Sequence, residues 1–332
     1  MSRLDEVRLM SKVARLYYDQ GIRQQDITKK LNVHQSTISR LLKRAREENI
    51  VRISVVTPPG IFSDLEDALE KRFHLQEAVV VDTSTAEEHM VRDLGAAAAF
   101  FVETKVKPGD VIGISSWSRA LIAMVSALHP TDRGKGGKVV QILGGVGNPA
   151  PQQDATQLAQ RLATLLQATP VLLQAPGIVG SAKVKSVLSQ DPAVSKAAEL
   201  FSHIDIALVG IGSMEPSKLL ASSGNIFSVD ERNSLRQQGA VGDICFRFFD
   251  DSGKIIKSPL NDRVIGIELE ALRRTQRVVG IAGGASKRAA ILGALRGQWI
   301  DVLITDKHTA DSLLQDEPDA LVSERSTIRK KK

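Results

Sequence analysis

The chain has 332 residues, of which 42% are hydrophobic and 25% are charged, a composition typical of a folded globular protein with about two domains. No apolar run reaches the roughly 18 residues that a membrane helix needs, and the polar N-terminus predicts a cytoplasmic protein without a signal peptide. The single cysteine, Cys245, excludes an internal disulfide and a cysteine-based zinc site, and the net charge is +6.

The charge is unevenly distributed along the chain. Residues 1–57 contain 12 basic and 6 acidic side chains, and residues 323–332 contain 5 basic and 1 acidic. The residues between them carry a net charge of −4. A basic head on a mildly acidic body suggests a small module that binds a polyanion, joined to a domain with another task. The alternative is a solvated, charged helix face.

The head is predicted to form three helices, at 7–20, 24–31 and 35–49, followed by a strand at 51–56. Gly21 suits the end of the first helix, where a positive φ is common. This order is typical of a winged helix–turn–helix domain, which we place at residues 1–57. The Pro-Pro-Gly stretch within 58–62 is the predicted linker.

The third helix has the composition of a DNA-reading helix. Its inward positions can close a small core with those of the second helix, at Ile27, Leu31, Val33, Ile38, Leu41 and Leu42. Its outward positions are the candidate DNA-binding residues Gln35, Ser36, Thr37, Ser39, Arg40, Lys43 and Arg44. Gln and Arg can pair with adenine and guanine in the major groove, while Ser, Thr and Lys suit the phosphate backbone. Double-stranded DNA is therefore the predicted partner, with an ordinary three-helix bundle or a protein-docking module as alternatives.

The body alternates short apolar runs with helical stretches. Strands are predicted at 78–82, 111–115, 139–143, 171–174, 204–209, 278–282 and 302–305. Helices are predicted at 63–73, 87–105, 118–128, 155–168 and 286–296. Fully apolar strands between helices indicate a doubly wound α/β domain with a mostly parallel sheet, at 63–318, before a basic tail at 319–332.

Glycine-rich loops follow four of these strands, at 113–119, 144–148, 210–213 and 283–287. Ligands of open α/β sheets bind at the carboxyl ends of the strands, and glycines there let N–H groups approach an anion. Lys287 and Arg119 could add charge, and Asp243 could accept hydrogen bonds from hydroxyls. The candidate effector-binding residues are Ser115, Ser116, Trp117, Ser118, Arg119, Gly144, Gly145, Gly147, Gly212, Asp243, Gly283, Gly284 and Lys287. The alternative is that these glycines serve turn geometry alone.

Other chemistry finds little support in the sequence. There is no nucleophile elbow, P-loop or convincing dinucleotide fingerprint, so no cofactor is predicted, and the six histidines lack metal-ligand spacing. Cys245 lies in an apolar run and is predicted to be a core residue, whereas Trp117 could stack on a sugar or seal a pocket. An isomerase needs a general acid and a general base, and Asp243 is the one carboxylate that the sequence places near the loops.

Together, these segments resemble the SorC/DeoR-type sugar-binding bacterial transcriptional regulators over nearly the whole chain. The matching segments are 14–21, 35–42, 143–147, 209–212, 240–244, 280–284 and Lys287. The resemblance implies a regulator of a carbohydrate or polyol operon, not an enzyme, with a winged helix–turn–helix and an effector domain like sugar-phosphate isomerases.

The resemblance also implies a homo-oligomer, dimer or tetramer, that binds operators and responds to a sugar, polyol or sugar phosphate. It implies that the loop 115–119 and Lys287 hold a phosphate or terminal oxygens, and that Asp243 holds hydroxyls. The chain has Ser116, Ser118 and Ala120 where the family's loop is more glycine-rich and hydroxyl-bearing. An unphosphorylated polyol is therefore an alternative effector. A sugar-phosphate isomerase with a basic N-terminal appendage is the alternative function.

Overall fold

A computed structural model of the chain describes residues 3–48, 50–51, 60–83, 86–145, 149–215 and 227–315, with the backbone alone for 149–156. The chain divides into two compact units, Met1–Pro58 and Pro59–Lys332. The predicted strand at 51–56, apart from Val51, lies outside the described residues, as do positions 58 and 59 of the linker and the basic tail at 319–332. Within the described ranges, no helix is both long and apolar enough to span a bilayer.

The N-terminal unit is a three-helix domain. Helix α1 (Arg3–Ala14) continues into a π-helical turn at Arg15–Asp19 and starts four residues before its predicted position; α2 (Gln24–Leu31) matches its prediction, and α3 (Gln35–Glu47) ends two residues early. Gly21 has a φ of +65°, as the sequence predicts, and Asn32 has a left-handed conformation between α2 and α3. The helices enclose one core of mostly aliphatic side chains, including Met10, Val13, Ile27, Ile38, Leu41 and Leu42.

The C-terminal unit is built on a parallel sheet. Its strands are β1 (Glu77–Val81), β2 (Val111–Ile114), β3 (Lys138–Gln141), β4 (Thr169–Val171), β5 (Ile206–Gly210), β9 (Arg277–Ile281) and β10 (Val302–Asp306). They lie in the order β1-β10-β9-β5-β2-β3-β4, with every neighbouring pair parallel. All seven predicted strands are these seven, with their ends shifted by no more than three residues. The prediction of a mostly parallel α/β fold is confirmed.

Helices cover both faces of this sheet. They are α4 (Ser63–Phe73), α5 (Glu87–Lys105), α6 (Arg119–Ala127), α7 (Pro149–Leu166), α8 (Ala182–Ser189), α9 (Pro192–Glu199), α10 (Val229–Gln237), α11 (Leu269–Leu272), α12 (Arg288–Arg296) and α13 (Lys307–Leu314). Along β5, Ala207 and Val209 belong to one core and Ile206 and Leu208 to the other. A strand buried on both faces must be apolar throughout, which is why these runs were recognisable in the sequence.

The direction of winding reverses between β2 and β5. From β2 the chain proceeds through β3 to β4 at one edge, and it then returns to form β5 on the other side of β2. From β5 it proceeds through β9 and β10 towards β1. The segments that leave the carboxyl ends of β2 and β5 therefore diverge, and this is where open α/β sheets leave a crevice for ligands.

A second, antiparallel sheet was not predicted. It consists of β6 (Gly212–Ser213), β7 (Ala240–Ile244) and β8 (Arg247–Asp250), in that order. The two-residue turn of the β7–β8 hairpin, Cys245–Phe246, has positive φ at both positions, as a type I′ turn requires. Such turns normally use Asn and Gly, so Cys-Phe carries no turn signal in the sequence.

The packing of β7 against α12 can be tested at Gly242. A Cβ there would overlap the Cβ of Ala290 in α12 and lie 2.7 Å from the Gly212 carbonyl oxygen. We expect Gly242→Ala to destabilise the chain by about 1–3 kcal/mol through overpacking, measured by urea unfolding. Gly180→Ala is the matched control, because nothing lies within 4 Å of its added Cβ. An equal stability of the two variants would contradict this packing.

Candidate functional site

A cavity of about 260 Å³ lies at the carboxyl ends of the strands where the winding reverses. Its walls come from the β2–α6 turn, the end of β5 with β6, the β7–β8 hairpin, the segment after β9 and the start of α5. The volume is slightly below the roughly 300–1,000 Å³ of pockets for drug-sized ligands, so the cavity suits a small molecule.

The structure brings nine of the predicted effector-binding residues together in this cavity. They are Ser115, Ser116, Trp117, Ser118, Arg119, Gly212, Asp243, Gly283 and Lys287. Gly147 lies outside the described residues. Gly144, Gly145 and Gly284 are not among the described lining residues.

Two of these glycine N–H groups already donate to groups within the fold. The N–H of Gly144 donates to the Ile265 carbonyl at 3.0 Å. That of Gly284 donates to Asp306 Oδ2 at 2.8 Å. These glycines permit close packing of neighbouring segments, since a Cβ at position 144 would overlap the Pro176 carbonyl.

The first wall is a strained turn between β2 and α6. Trp117 has a φ of +65°, a conformation that costs a non-glycine residue free energy, and it is 7% exposed. Its Nε1–H donates to the Gly144 carbonyl at 3.4 Å. Ser118 caps α6, because its Oγ accepts from the Leu121 N–H at 3.3 Å. The turn thus presents side chains and the start of a helix to the cavity.

Ser116 takes part in a buried polar network behind that wall. Its Oγ–H donates to the Leu143 carbonyl at 3.1 Å. Gln141, the last residue of β3, donates from Nε2 to Ser116 Oγ and to the Leu143 carbonyl, at 3.1 Å each. Gln141 is 3% exposed and is not a lining residue. No motif in the sequence pointed to it.

The opposite wall is the β7–β8 hairpin. The Asp243 side chain lies beside the turn, and its Oδ2 accepts a hydrogen bond from the Phe246 N–H at 2.9 Å. A Cβ at position 212 would overlap the Asp243 carboxylate, which would then have to move. Cys245 is buried, as predicted, but it also lines the cavity. Burial raises the pKa of its thiol well above the ordinary value, which keeps it neutral.

Asp243 and Lys287 give the cavity opposite charges. Burial raises the pKa of Asp243 from 3.8 to about 6, while the Phe246 N–H and the Lys287 charge act against that rise. Burial lowers the pKa of Lys287, and the Asp243 and Glu87 charges oppose that shift. Lys287 Nζ donates to the Ile211 carbonyl at 2.9 Å. Both charged groups are therefore already engaged within the protein.

Several lining residues were missed because they carry no loop signature. Glu87, Met90 and Val91 lie at the start of α5, and Glu87 pairs with Arg119 at 2.7 Å. The cavity also includes Leu94, Leu143, Glu215, Phe246 and Ala282. From the predicted loops 210–213 and 283–287 it further includes Gly210, Ile211, Ser213 and Ser286. The β7–β8 turn brings in Phe246, and a sequence without a recognisable turn gives no means of placing it there.

On the N-terminal unit, α3 carries the predicted DNA-binding residues. Gln35, Ser36, Ser39, Arg40 and Lys43 are exposed, whereas Thr37 and Arg44 are partly buried. His34 does cap this helix: its Nδ1 accepts from the Ser36 N–H at 3.4 Å.

Arg44 differs from the other members of this set, because it is held within the domain. It pairs with Glu6 of α1 and, at 2.6 Å, with Glu48. These partners raise the pKa of Arg44 above its ordinary value, mainly through the bonds to Glu48 and Glu6. Arg44 therefore ties α1 to α3.

Asp243→Asn tests the cost of the buried carboxylate. Because the folded-state pKa of Asp243 is raised, its contribution to the stability of the unliganded protein falls as pH rises from about 4 to about 6 and is constant above that. The amide oxygen of Asn can still accept from the Phe246 N–H. We expect Asp243→Asn to gain about 1–3 kcal/mol over the wild type at pH 7, with the gain vanishing towards pH 4, in urea unfolding across pH.

Asp132→Asn, at an exposed position outside the cavity, is the matched control. A gain of the same size in that control, or a gain in Asp243→Asn that is independent of pH, would contradict the assignment.

The geometry agrees with comparisons to known proteins. The Sugar-bind family, described as a sugar-binding domain, matches residues 59–315. The chain is 36% identical to the deoxyribonucleoside regulator of Bacillus subtilis over 94% of this chain and 99% of the relative. It is 33% identical to the sorbitol operon regulator of Klebsiella pneumoniae, over 95% of this chain and 100% of the relative.

The crystal structure of the full-length sorbitol operon regulator SorC from Klebsiella pneumoniae superposes with a TM-score of 0.70 at 32% identity. That comparison covers 94% of this chain and 100% of the SorC chain. Both the whole-chain similarity and the match of the C-terminal unit agree with the resemblance stated from the sequence. The chain belongs to the SorC/DeoR-type family of sugar-binding transcriptional regulators.

Proposed function

We propose that this protein regulates a carbohydrate or polyol operon, with α3 reading operator DNA and a small effector in the cavity changing the affinity for that DNA. The observation that carries the proposal is the presence, in one chain, of a helix–turn–helix with an exposed polar and basic helix face and a cavity, at a sheet switch point, whose lining includes serines, Asp243 and Lys287. Operator DNA lies in the bacterial cytoplasm, so the proposal places the protein there.

The exposed face of α3 supports DNA reading. Gln35 and Ser36 open the helix and Arg40 follows about one turn later, all three exposed. Lys43, also exposed, lies 3.8 Å from Glu47 in a pair that solvent weakens. We assign base contacts to Gln35 and Arg40, and phosphate contacts to Ser36, Thr37, Ser39 and Lys43. Arg44 keeps the helix in place and leaves the contact set proposed from the sequence.

The cavity supports binding of a polyhydroxylated molecule. Ser115, Ser116, Ser118, Asp243 and Lys287 all line it. Together they offer donors and acceptors around a small volume, which suits the hydroxyl groups of a sugar, a polyol or a sugar phosphate. We assign hydroxyl binding to Asp243 and terminal oxygens to Lys287.

The cavity is poorly equipped for isomerase chemistry. Of the carboxylates among the described lining residues, Glu87 pairs with Arg119 and Glu215 pairs with Arg236. Asp243 is the remaining one, and an isomerase needs a general acid as well as a general base. The curated relatives are named as regulators, which favours a binding role over catalysis.

Regulation requires that the effector bind the DNA-competent and incompetent arrangements unequally. A coupling of about 1–3 kcal/mol would change the DNA affinity by about 5- to 150-fold. We further propose a homo-oligomer, dimer or tetramer, in which a two-fold pair sets two α3 helices about 34 Å apart, one turn of DNA.

Arg40→Ala tests DNA reading. If Arg40 contacts a guanine, the substitution costs about 1–3 kcal/mol, or about 5- to 150-fold in Kd, and relaxes the base preference at one position. The measurement is fluorescence anisotropy with a duplex selected by the full-length protein from a random library.

Arg133→Ala, an exposed arginine of the C-terminal unit, is the control for loss of one positive charge. Failure to select any duplex, or equal affinities of Arg40→Ala and the control, would contradict DNA reading by α3.

Effector binding is tested by thermal unfolding with aldoses, ketoses and alditols of four to six carbons and their terminal monophosphates. A ligand at about 100 times its Kd stabilises the native state by about 2.7 kcal/mol. We expect at least one compound to raise Tm in the wild type and in Lys254→Gln, an exposed control, and to lose that effect in Lys287→Gln. No shift with any compound would rule out this effector class.

A further inference from the structure

The outer face of α5 carries one continuous ridge of exposed side chains. Between positions 90 and 105 of this helix, the exposed residues are Arg92, Ala96, Phe100 and Thr104. They are spaced four residues apart, and Glu88, which is also exposed, continues the series one turn earlier. Residues at this spacing are neighbours on a helix surface and form a ridge that can pack against a second helix.

Phe100 stands out in this ridge. It is 68% exposed, the largest exposed fraction among the large hydrophobic residues that the structure describes. The next residue, Phe101, is 3% exposed and packs in the core, so α5 is attached to the sheet without help from Phe100. Aromatic side chains gain free energy when they leave water and are enriched at protein interfaces. The position of Phe100 therefore indicates a contact surface.

A groove of about 620 Å³ lies on the surface between α5 and α6. Most of its described lining residues are apolar and short, namely Val91, Ala96, Ile122, Ala123 and Ala127. The others are Glu88, Arg92, Arg119 and Ser126. The distance between packed helices depends on the side chains at the contact, so short ones allow close approach. The groove therefore suits an aromatic ring carried by another helix.

The exposed ring and the groove lie on the same face, which favours a second copy of this chain as the occupant. In a two-fold contact, the same patch of each protomer serves both partners. A two-fold axis beside Ala96, with the two α5 helices antiparallel, places each Phe100 at the level of Arg92 of the other copy. The α5 side of the groove extends from Glu88 to Ala96 and is centred near Arg92. Both grooves are then filled at once.

The charges of the ridge are compatible with this arrangement. Ala96 meets Ala96 at the axis, so no like charges face each other there, a juxtaposition that would oppose association. Arg92 lies at the level of an aromatic ring, where a cation–π contact is favourable. Glu88 lies at the level of Thr104, which is neutral. The ridge is therefore complementary to a copy of itself in charge as well as in shape.

We propose that the α5–α6 face is an interface between two copies of this chain, with Phe100 of each copy seated in the groove of the other. The inference rests on the proposed function, because it names the surface that forms the homo-oligomer proposed there. Val91 and Arg119 line both this groove and the effector cavity. The interface therefore adjoins the cavity, and the second copy contacts residues that line it.

Phe100→Asp tests the contact, by sedimentation velocity on the full-length protein over a concentration series. The substitution puts a charge into an apolar groove at two symmetry-related places. We expect self-association through this face to weaken at least about 30-fold, as for an interface hot spot. A tetrameric wild type then falls to a dimer, and a dimeric one to a monomer.

Val187→Asp is the matched control. Val187 is 63% exposed and lies in α8, outside this face. The change removes an exposed apolar side chain and adds the same charge, so we expect the wild-type mass to be kept.

Cysteine cross-linking tests the axis. Cys245 is buried, so a disulfide between chains reports an introduced cysteine. Ala96→Cys should give a covalent dimer on oxidation, because a disulfide needs Cα atoms within about 7 Å. Thr104→Cys alone should give none, since at 1.5 Å per residue it lies about 24 Å along the helices from its two-fold mate. A mixture of Thr104→Cys and Glu88→Cys chains should cross-link.

The outcomes separate this inference from the proposed function. If the wild type associates and Phe100→Asp keeps its mass, if Val187→Asp dissociates as readily, or if the cross-links depart from this pattern, the inference is overturned and the proposed function stands. If the wild type is a monomer at every concentration tested, the proposed homo-oligomer fails, and this inference fails with it.

Discussion

The reversal of winding between β2 and β5 is the constraint on which the cavity depends. Because the segments that leave β2 and β5 run in opposite directions, a crevice forms at the carboxyl ends of that pair. The β2–α6 turn and the end of β5 then face each other across a gap, and the β7–β8 hairpin and the segment after β9 close its sides. A sheet wound in one direction throughout would fill this space with a crossover connection.

Residues in the walls of that gap have backbone conformations and buried charges that lower the stability of the folded state. Trp117, Cys245 and Phe246 all have positive φ and all line the cavity, and Asp243 ionises there against the cost of burial. Each feature costs free energy, so contacts with the surrounding sheet and helices must hold it in place. Concentration of such costs at one cavity is typical of a site kept ready for a ligand rather than optimised for stability.

The main sheet could be predicted from the sequence because two-sided burial leaves continuous apolar runs, as along Ile206–Gly210. Part of the cavity could be predicted because glycines and serines follow those strands. It could not reveal the β7–β8 hairpin, whose Cys-Phe turn replaces the usual Asn-Gly, nor Gln141, whose role depends on Ser116 and Leu143 lying beside it. A glycine in close packing has the same sequence pattern as a glycine at an anion, so the sequence alone could not separate Gly144 and Gly284 from the glycines that line the cavity.

The position of Trp117 has a practical consequence for spectroscopy. The chain has two tryptophans; Trp117 lines the cavity, and Trp299 is buried with Arg273 4.0 Å from its ring and its Nε1–H bonded to the Gly253 carbonyl at 2.8 Å. Indole emission depends on local polarity and quenching, so occupancy of the cavity alters the fluorescence of one tryptophan against a constant background from the other. Trp117 would therefore report binding of the proposed effector without any label.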